Sequence, residues 1–232
     1  MDFDIFLNSE KPVILTGPSL DGQISHFYRS LEQFLSNQSH RPRTIKQLFS
    51  SSPKLVWNWF EPFRQQYRNK KPSQLYYKLQ RLQDFFSCFT IITQNVTSDH
   101  IKAGSDKVYE LFGNCNQAFC CNSLRMQKLP NSLSELPPKC NCGNDLLPNI
   151  LGLGGGLSSG ILYNAFSAIS SCDLLILLGA YKNIPIIHSF VKLAKKRKVK
   201  VIEVSQYKSP FSDLVNIHLN KSPSFFLDSL FR

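Results

Sequence analysis

The sequence predicts the α/β class, a doubly wound parallel sheet interrupted by a small inserted module, on three observations. Short apolar runs recur along the chain, helical periodicities separate them, and one cysteine-bearing segment breaks the alternation. The runs are Val13-Ile14-Leu15-Thr16, Phe89-Thr90-Ile91-Ile92-Thr93, Leu174-Leu175-Ile176-Leu177-Leu178 and Val199-Lys200-Val201-Ile202-Glu203-Val204, with Leu214 to Leu219 as a fifth candidate. Continuous runs of this kind, bounded by Gly or polar residues, suit parallel strands covered on both faces. Leu75, Leu79, Leu82 and Phe86 keep helical spacing before the second run, and Ile184 to Lys196 forms a helical stretch between the third and fourth. Strand, helix and strand in alternation make the sheet Rossmann-like. The segment from about 113 to 148 is rich in Cys, Asn, Ser and Pro and reads as an excursion from the sheet. The expectation is one domain over 1–232. Its sheet part takes about 1–30, 74–112 and 149–232, a helical insertion about 31–73, and a Cys-rich module about 113–148.

Length and composition bound the function. A chain of 232 residues accommodates one large domain with an insertion. Hydrophobic residues at 42% and charged residues at 19% imply a packed core rather than disorder. No stretch approaches the roughly 20 apolar residues of a membrane span. Met1-Asp2-Phe3-Asp4 has no basic leader followed by an apolar run. Both facts predict no membrane partner and a reducing compartment, cytoplasmic, or nuclear in a eukaryotic cell. The net charge of +11 admits nucleic acid or anionic protein surfaces as partners. A basic soluble protein is the simpler reading, because charge governs solubility and non-specific binding rather than fold. Lys195-Lys196-Arg197-Lys198 closes a helical pattern, where cations favour the helix dipole.

Of the seven cysteines, Cys88 and Cys172 adjoin apolar runs and read as buried thiols. Cys115, Cys120, Cys121, Cys140 and Cys142 fall in one segment, which points to a metal site or its remains rather than a disulfide framework.

An ordered series of short motifs adds a family. The first run ends in Thr16-Gly17, followed by Phe27-Tyr28-Arg29-Ser30 and by Pro53 to Phe60. The second leads into Thr93-Gln94-Asn95-Val96, His100 and Ala103-Gly104-Ser105. Glu110-Leu111-Phe112-Gly113, the cysteines, Leu146-Leu147-Pro148 and Asp173 to Gly179 complete the series. Over nearly the whole chain this order resembles the sirtuins, NAD-dependent protein deacylases. The resemblance implies NAD as cofactor, held through Thr16, Gly17, Arg29, Gln94, Asn95, Gly179 and Ser205. It implies an acylated-lysine peptide as substrate, with Asn95 and a histidine base as catalytic residues, and a structural zinc bound by four cysteines.

Several positions depart from that pattern. The base histidine falls on Phe112, and a phenyl ring has no lone pair to accept a proton. His100, the nearest substitute, matches a position more structural than catalytic. The phosphate turn reads Gly17-Pro18-Ser19, in which Pro18 has no N–H to donate. Thr97 replaces an amide-binding acid, Ala180-Tyr181 replaces a Thr-Ser pair, and Ser205 stands for a ribose-binding asparagine. The substrate strand aligns with Leu151-Gly152-Leu153-Gly154-Gly155, a degenerate or flexible segment without the Lys-Ser/Thr of a P-loop. Zinc ligands would come from Cys120, Cys121, Cys140 and Cys142, with Ser123 where a pair partner is expected. Neighbouring and one-apart cysteines diverge, so free thiols in a shrunken module stand beside the zinc reading.

Together these departures predict a sirtuin-fold pseudoenzyme that serves as a binding or assembly module for a protein partner. A divergent NAD-dependent deacylase or ADP-ribosyltransferase, resting on Arg29, Gln94, Asn95 and His100, is the alternative. A nucleotide sensor using the loops at Gly17 and Gly179 is a third reading.

Overall fold

The computed structural model describes residues 6, 8–18, 20–21, 23–38, 45–150, 157–180 and 184–231. Along the chain run β1 (Pro12–Thr16), α1 (Gln23–Ser36), α2 (Ile45–Ser51), α3 (Pro53–Arg68), α4 (Gln74–Gln83), β2 (Thr90–Thr93) and α5 (Asp99–Lys102). They are followed by β3 (Val108–Glu110), β4 (Gly113–Cys120), β5 (Met126–Lys128), β6 (Leu146–Ile150), α6 (Ser159–Ser171) and β7 (Leu174–Leu178). The chain continues through α7 (Pro185–Lys196), β8 (Lys200–Val204), β9 (Ile217–Leu219) and α8 (Pro223–Ser229).

Six strands form one parallel sheet in the order β3-β2-β1-β7-β8-β9, the doubly wound arrangement that the apolar runs predict. Alternate residues of the central strands enter two separate cores. Val13, Leu15, Leu175 and Leu177 face one side with α3, α6 and α7. Ile14, Leu174, Ile176 and Leu178 face the other with α4 and α8. All of these side chains are at most 2% exposed, which is why the strands read as unbroken apolar runs.

The Cys-rich excursion is itself a sheet. β4 pairs antiparallel with β5 and with β6 in the order β5-β4-β6. Alternation there is carried by Asn, Gln, Ala and Cys, so the apolar pattern does not betray it. Two buried polar links hold this small sheet to α3. The Trp57 indole N–H donates to the Leu146 carbonyl at 2.7 Å. Arg64, fully buried, pairs with Glu61 and donates to the Pro130 and Asn131 carbonyls. A charge inside protein persists where its donors are satisfied in this way.

Two readings of the sequence are corrected. Cys88 is half-buried, with the Lys107 ammonium 3.8 Å from its sulfur, while Cys172 is buried as expected. The fifth strand is shorter than its apolar run, because residues 210–214 form a turn that sends Phe211 into the core.

Candidate functional site

In an open parallel sheet, ligands bind beyond the carboxyl ends of the strands where the winding reverses, here between β1 and β7. Gly17 stands at that point. Its amide donates to the Leu178 carbonyl at 3.1 Å, and it is itself buried. A Cβ on Gly17 would lie 2.3 Å from the Gly179 oxygen and 2.4 Å from the Ala180 Cα, both backbone atoms. Gly179 has φ +64°, a left-handed conformation that glycine adopts without strain. The turn after β1 and the loop after β7 therefore interlock and admit no side chain at Gly17. Pro18 follows without a donor. Ser19 and Tyr181 lie outside the described residues, as does the segment 151–155 aligned with the substrate strand.

Behind this turn lies a sealed polar network. The Thr16 hydroxyl donates to Thr93 Oγ1 and meets His100 Nε2, each at 2.9 Å. Thr93 Oγ1 also accepts the Asn95 amide at 3.0 Å. With the Thr16 proton given to Thr93, the imidazole is the donor through Nε2, which leaves Nδ1 as an acceptor with no partner. His100 is 1% exposed, packs edge-on against the Tyr76 ring, and is pushed down to a pKa of about 3 by burial. It is a neutral imidazole at physiological pH.

Asn95 donates from Nδ2 to the Tyr76 hydroxyl at 2.8 Å, and its Oδ1 is buried without a partner. Burial, assisted by the Asp21 and Asp99 carboxylates, raises the Tyr76 phenol far above its usual range. Gln94 is fully buried beside Gly17, with its Oε1 2.6 Å from where a Gly17 Cβ would stand. Thr97 gives its hydroxyl to Asp99 at 2.7 Å, and Asp99 pairs with Lys102. Arg29 on α1 is exposed. Ser205, after β8, donates to the Tyr207 carbonyl at 2.7 Å. The structure thus gathers Thr16, Gly17, Gln94, Asn95 and His100 at one end of the sheet, while the Arg29 side chain is turned to solvent.

Phe112 occupies the turn between β3 and β4. It is 1% exposed and belongs to the core beside Leu111, Cys115 and Ile150. Gly113 follows at φ +87°, where a Cβ would strike the Asn149 carbonyl at 2.0 Å. Two residues before Phe112, Glu110 forms part of the wall of a cavity of about 900 Å³ together with Gln117, Phe119, Asn149 and Leu157. Asn114 donates to Glu110 Oε2 at 2.7 Å, whereas Oε1 is buried without a partner. Burial raises the Glu110 carboxyl pKa above the usual range. In the sequence Glu110 stands out only as part of the Glu110-Leu111-Phe112-Gly113 motif. Its placement depends on the β2–β3 pairing of Thr93 with Glu110, which no local pattern signals.

The cysteines separate into two groups. Cys120, Cys140 and Cys142 place their sulfurs within 4.8 Å of one another, with Cys120 and Cys142 3.5 Å apart. Cys121, expected beside them, is not in this cluster. It follows Cys120 at the strand end, its side chain diverges, and it lines the 900 Å³ cavity instead. Cys140 and Cys142 converge despite their spacing because the Cys140 carbonyl accepts the Gly143 amide at 2.8 Å, closing a tight turn. Three convergent thiols fit zinc as a donor type. Cys115 is buried in the core, where burial pushes its thiol up to about 12.

Comparison with known proteins places this geometry. The model of the Sir2 family matches residues 17–185. An NAD-dependent protein deacylase of Leptospira interrogans serovar Lai is 29% identical over 208 residues, covering 88% of this chain and 85% of the relative. The NAD-dependent protein deacylase of Aquifex aeolicus is 31% identical over 179 residues, 76% of this chain and 74% of that protein. Among solved structures, the ADP-ribose complex of a Sir2 homologue mutant superposes with a TM-score of 0.84 at 23% identity, covering 99% of this chain and 95% of the other. A Sir2 homologue–NAD complex gives 0.82 at 24% identity, over 99% and 92% of the two chains. With the doubly wound sheet, the interlocked Gly17 turn and a family match spanning most of its length, this chain belongs to the Sir2 family.

Proposed function

We propose that this protein is an NAD-binding member of its family that does not deacylate at an enzyme's rate and serves as a binding or assembly module. The observation that carries the reading is Phe112. An apolar ring, 1% exposed and packed in the core, stands where the resemblance assigns the base. General base catalysis contributes roughly 10²–10⁴-fold, and a phenyl ring supplies none of it. His100 does not replace it, because its Nε2 meets Thr16 and its pKa near 3 makes it a feeble proton acceptor at neutral pH.

The cofactor fit is partial. The buried, unpartnered Asn95 Oδ1 and the closed Gly17 turn suit a nucleotide, while Pro18 removes one backbone donor. Gly17, Gln94, Asn95, Gly179 and Ser205 would hold NAD. When bound, NAD supplies the nicotinamide–ribose bond whose cleavage accompanies acyl transfer in this family. The chain's own contribution is to orient a ribose against Asn95 and to keep water from the sealed face behind Thr16.

The test is nicotinamide release from NAD with an acetyl-lysine peptide, for the wild type and for Phe112→His. We expect release by the wild type at least about 100-fold below an ordinary sirtuin rate. Turnover at that ordinary rate would sink the reading. Calorimetric titration with ADP-ribose separates loss of chemistry from loss of binding.

A second reading, residual NAD-dependent deacylase or ADP-ribosyl transfer, draws on Glu110. Its carboxyl carries a raised pKa and one buried, unpartnered oxygen, and the residue lines the cavity two residues from Phe112. If activity is found, Glu110→Gln and Asn95→Ala should each abolish it. Activity that survives Asn95→Ala does not arise at this site.

A further inference from the structure

We propose that Cys120, Cys140 and Cys142 bind one zinc ion through three thiolates and leave its fourth coordination position to an exchangeable small ligand of the thiol class. This departs from the closed four-cysteine site that the family resemblance implies, and it is independent of any chemistry on NAD.

The geometry of the three sulfurs suits one ion. Zn–S bonds of about 2.3 Å at tetrahedral angles put sulfurs about 3.8 Å apart. The Cys120–Cys142 separation is 3.5 Å, and all three sulfurs lie within 4.8 Å. Each sulfur also receives one N–H donor. The Ser123 amide points at Cys120 at 3.4 Å, the Gln127 side-chain amide at Cys140 at 2.9 Å, and the Asn144 side-chain amide at Cys142 at 3.4 Å. Donors so arranged stabilise thiolates and orient them toward a metal.

The fourth corner has no comparable ligand. Among the described residues no further His, Cys, Asp or Glu joins the three sulfurs. Cys121 lines the cavity instead, and the residue three beyond Cys120 is Ser123, whose hydroxyl is not deprotonated at neutral pH. Ser123 and Cys142 are both exposed, so this corner is open to solvent. Closed tetrahedral sites are structural, whereas three protein ligands with an open fourth position characterise sites where a ligand exchanges. Beside three soft sulfurs, a fourth sulfur donor is the matched partner.

Loading balances simply. Three S–H protons leave to solvent as three Zn–S bonds form, and water takes the fourth position. A small thiol then gives up its own proton and displaces that water.

Cobalt(II), which has visible spectra in thiolate sites, is the probe. The reduced, metal-free 232-residue chain is titrated with Co(II), and mercaptoethanol is then added. We expect one Co(II) per chain, with sulfur-to-cobalt absorption that grows when the thiol is added. In Ser123→Cys, which completes the tetrahedron, that absorption should begin about a third stronger, three sulfurs having become four, and should not respond to the thiol. Cys142→Ser should lose the sulfur absorption. Absence of Co(II) binding by the reduced wild type overturns the proposal. So does a wild-type spectrum that is unchanged by mercaptoethanol, a result that does not depend on any variant folding.

Discussion

At the apex of the large sheet, Thr16, Thr93, Asn95 and His100 are each at most 2% exposed. At the corner of the small sheet, Ser123 and Cys142 face solvent while Cys120 and Cys140 are buried beneath them. Both places collect polar atoms from segments far apart in sequence. The apex resolves its burial by staying uncharged, since His100 is held neutral and shares its proton with a threonine. The corner points three sulfurs and three N–H donors at one small volume, an arrangement that suits negative charge beside a cation. A buried ionisable group without a counter-charge gives up its charge, whereas a half-exposed cluster can keep charge and await an ion.

Three measurements break or sharpen that contrast. Zinc at about 1,000 times its Kd should raise the unfolding free energy by roughly 4 kcal/mol, read as a shift in the thermal midpoint. Cys142→Ser should abolish this gain and Thr16→Val should leave it intact. An equal gain in Cys142→Ser would show that the ion binds elsewhere.

Thr16→Val removes the acceptor of His100 Nε2 and the donor to Thr93 inside a dry site. It should cost about 1–3 kcal/mol in denaturant unfolding, the penalty of orphaned buried polar groups. A loss below that range would mean that water reaches the apex.

The third measurement is pH dependence. His100 has a folded pKa of about 3, below its unfolded value near 6.5. The unfolded chain therefore binds one more proton between these values. The stabilisation is fully present above about pH 6.5 and falls by about 1.4 kcal/mol per pH unit as pH drops toward 3. His100→Gln should flatten that slope in unfolding curves recorded near pH 7 and near pH 4.5. An unchanged slope would place the proton uptake on another group.

The sheet was legible in the sequence because both of its faces are buried. Ile14, Ile176 and Ile202 could be apolar without interrupting any polar face, so their strands stand out as runs. β3 was not legible, because Val108-Tyr109-Glu110 is short and half-buried and shows neither a run nor a clear alternation. The small sheet was hidden for a related reason. Its core positions are filled by Cys115, Ala118 and Cys120, residues too small or too polar in appearance to mark a period.

At the candidate site, Gly17, Gln94, Asn95 and His100 could be singled out by motif. The Thr16–His100 contact could not be read, since 84 residues separate its partners. Four neighbouring cysteines invite a four-ligand reading, and the sequence does not show that Cys121 stands apart from the other three. The alternation of side chains at a strand end sends one of them away, and a turn brings together two that spacing alone would part.

The position of β1 has a consequence for how the chain is assembled. Its residue Ile14 pairs with Ile91 on one side and with Ile176 on the other. Both partners follow the helical insertion in the chain, but the small sheet stands between them, so Ile91 is synthesised well before Ile176. Until then β1 and β2 present an open edge of Val13-Ile14-Leu15, an apolar row of unpaired amides and carbonyls of the kind that recruits other chains. Closing the sheet across so long a loop is slow. The nascent chain therefore passes through an interval with its central strand half-paired, and the arrival of β7 is what ends it.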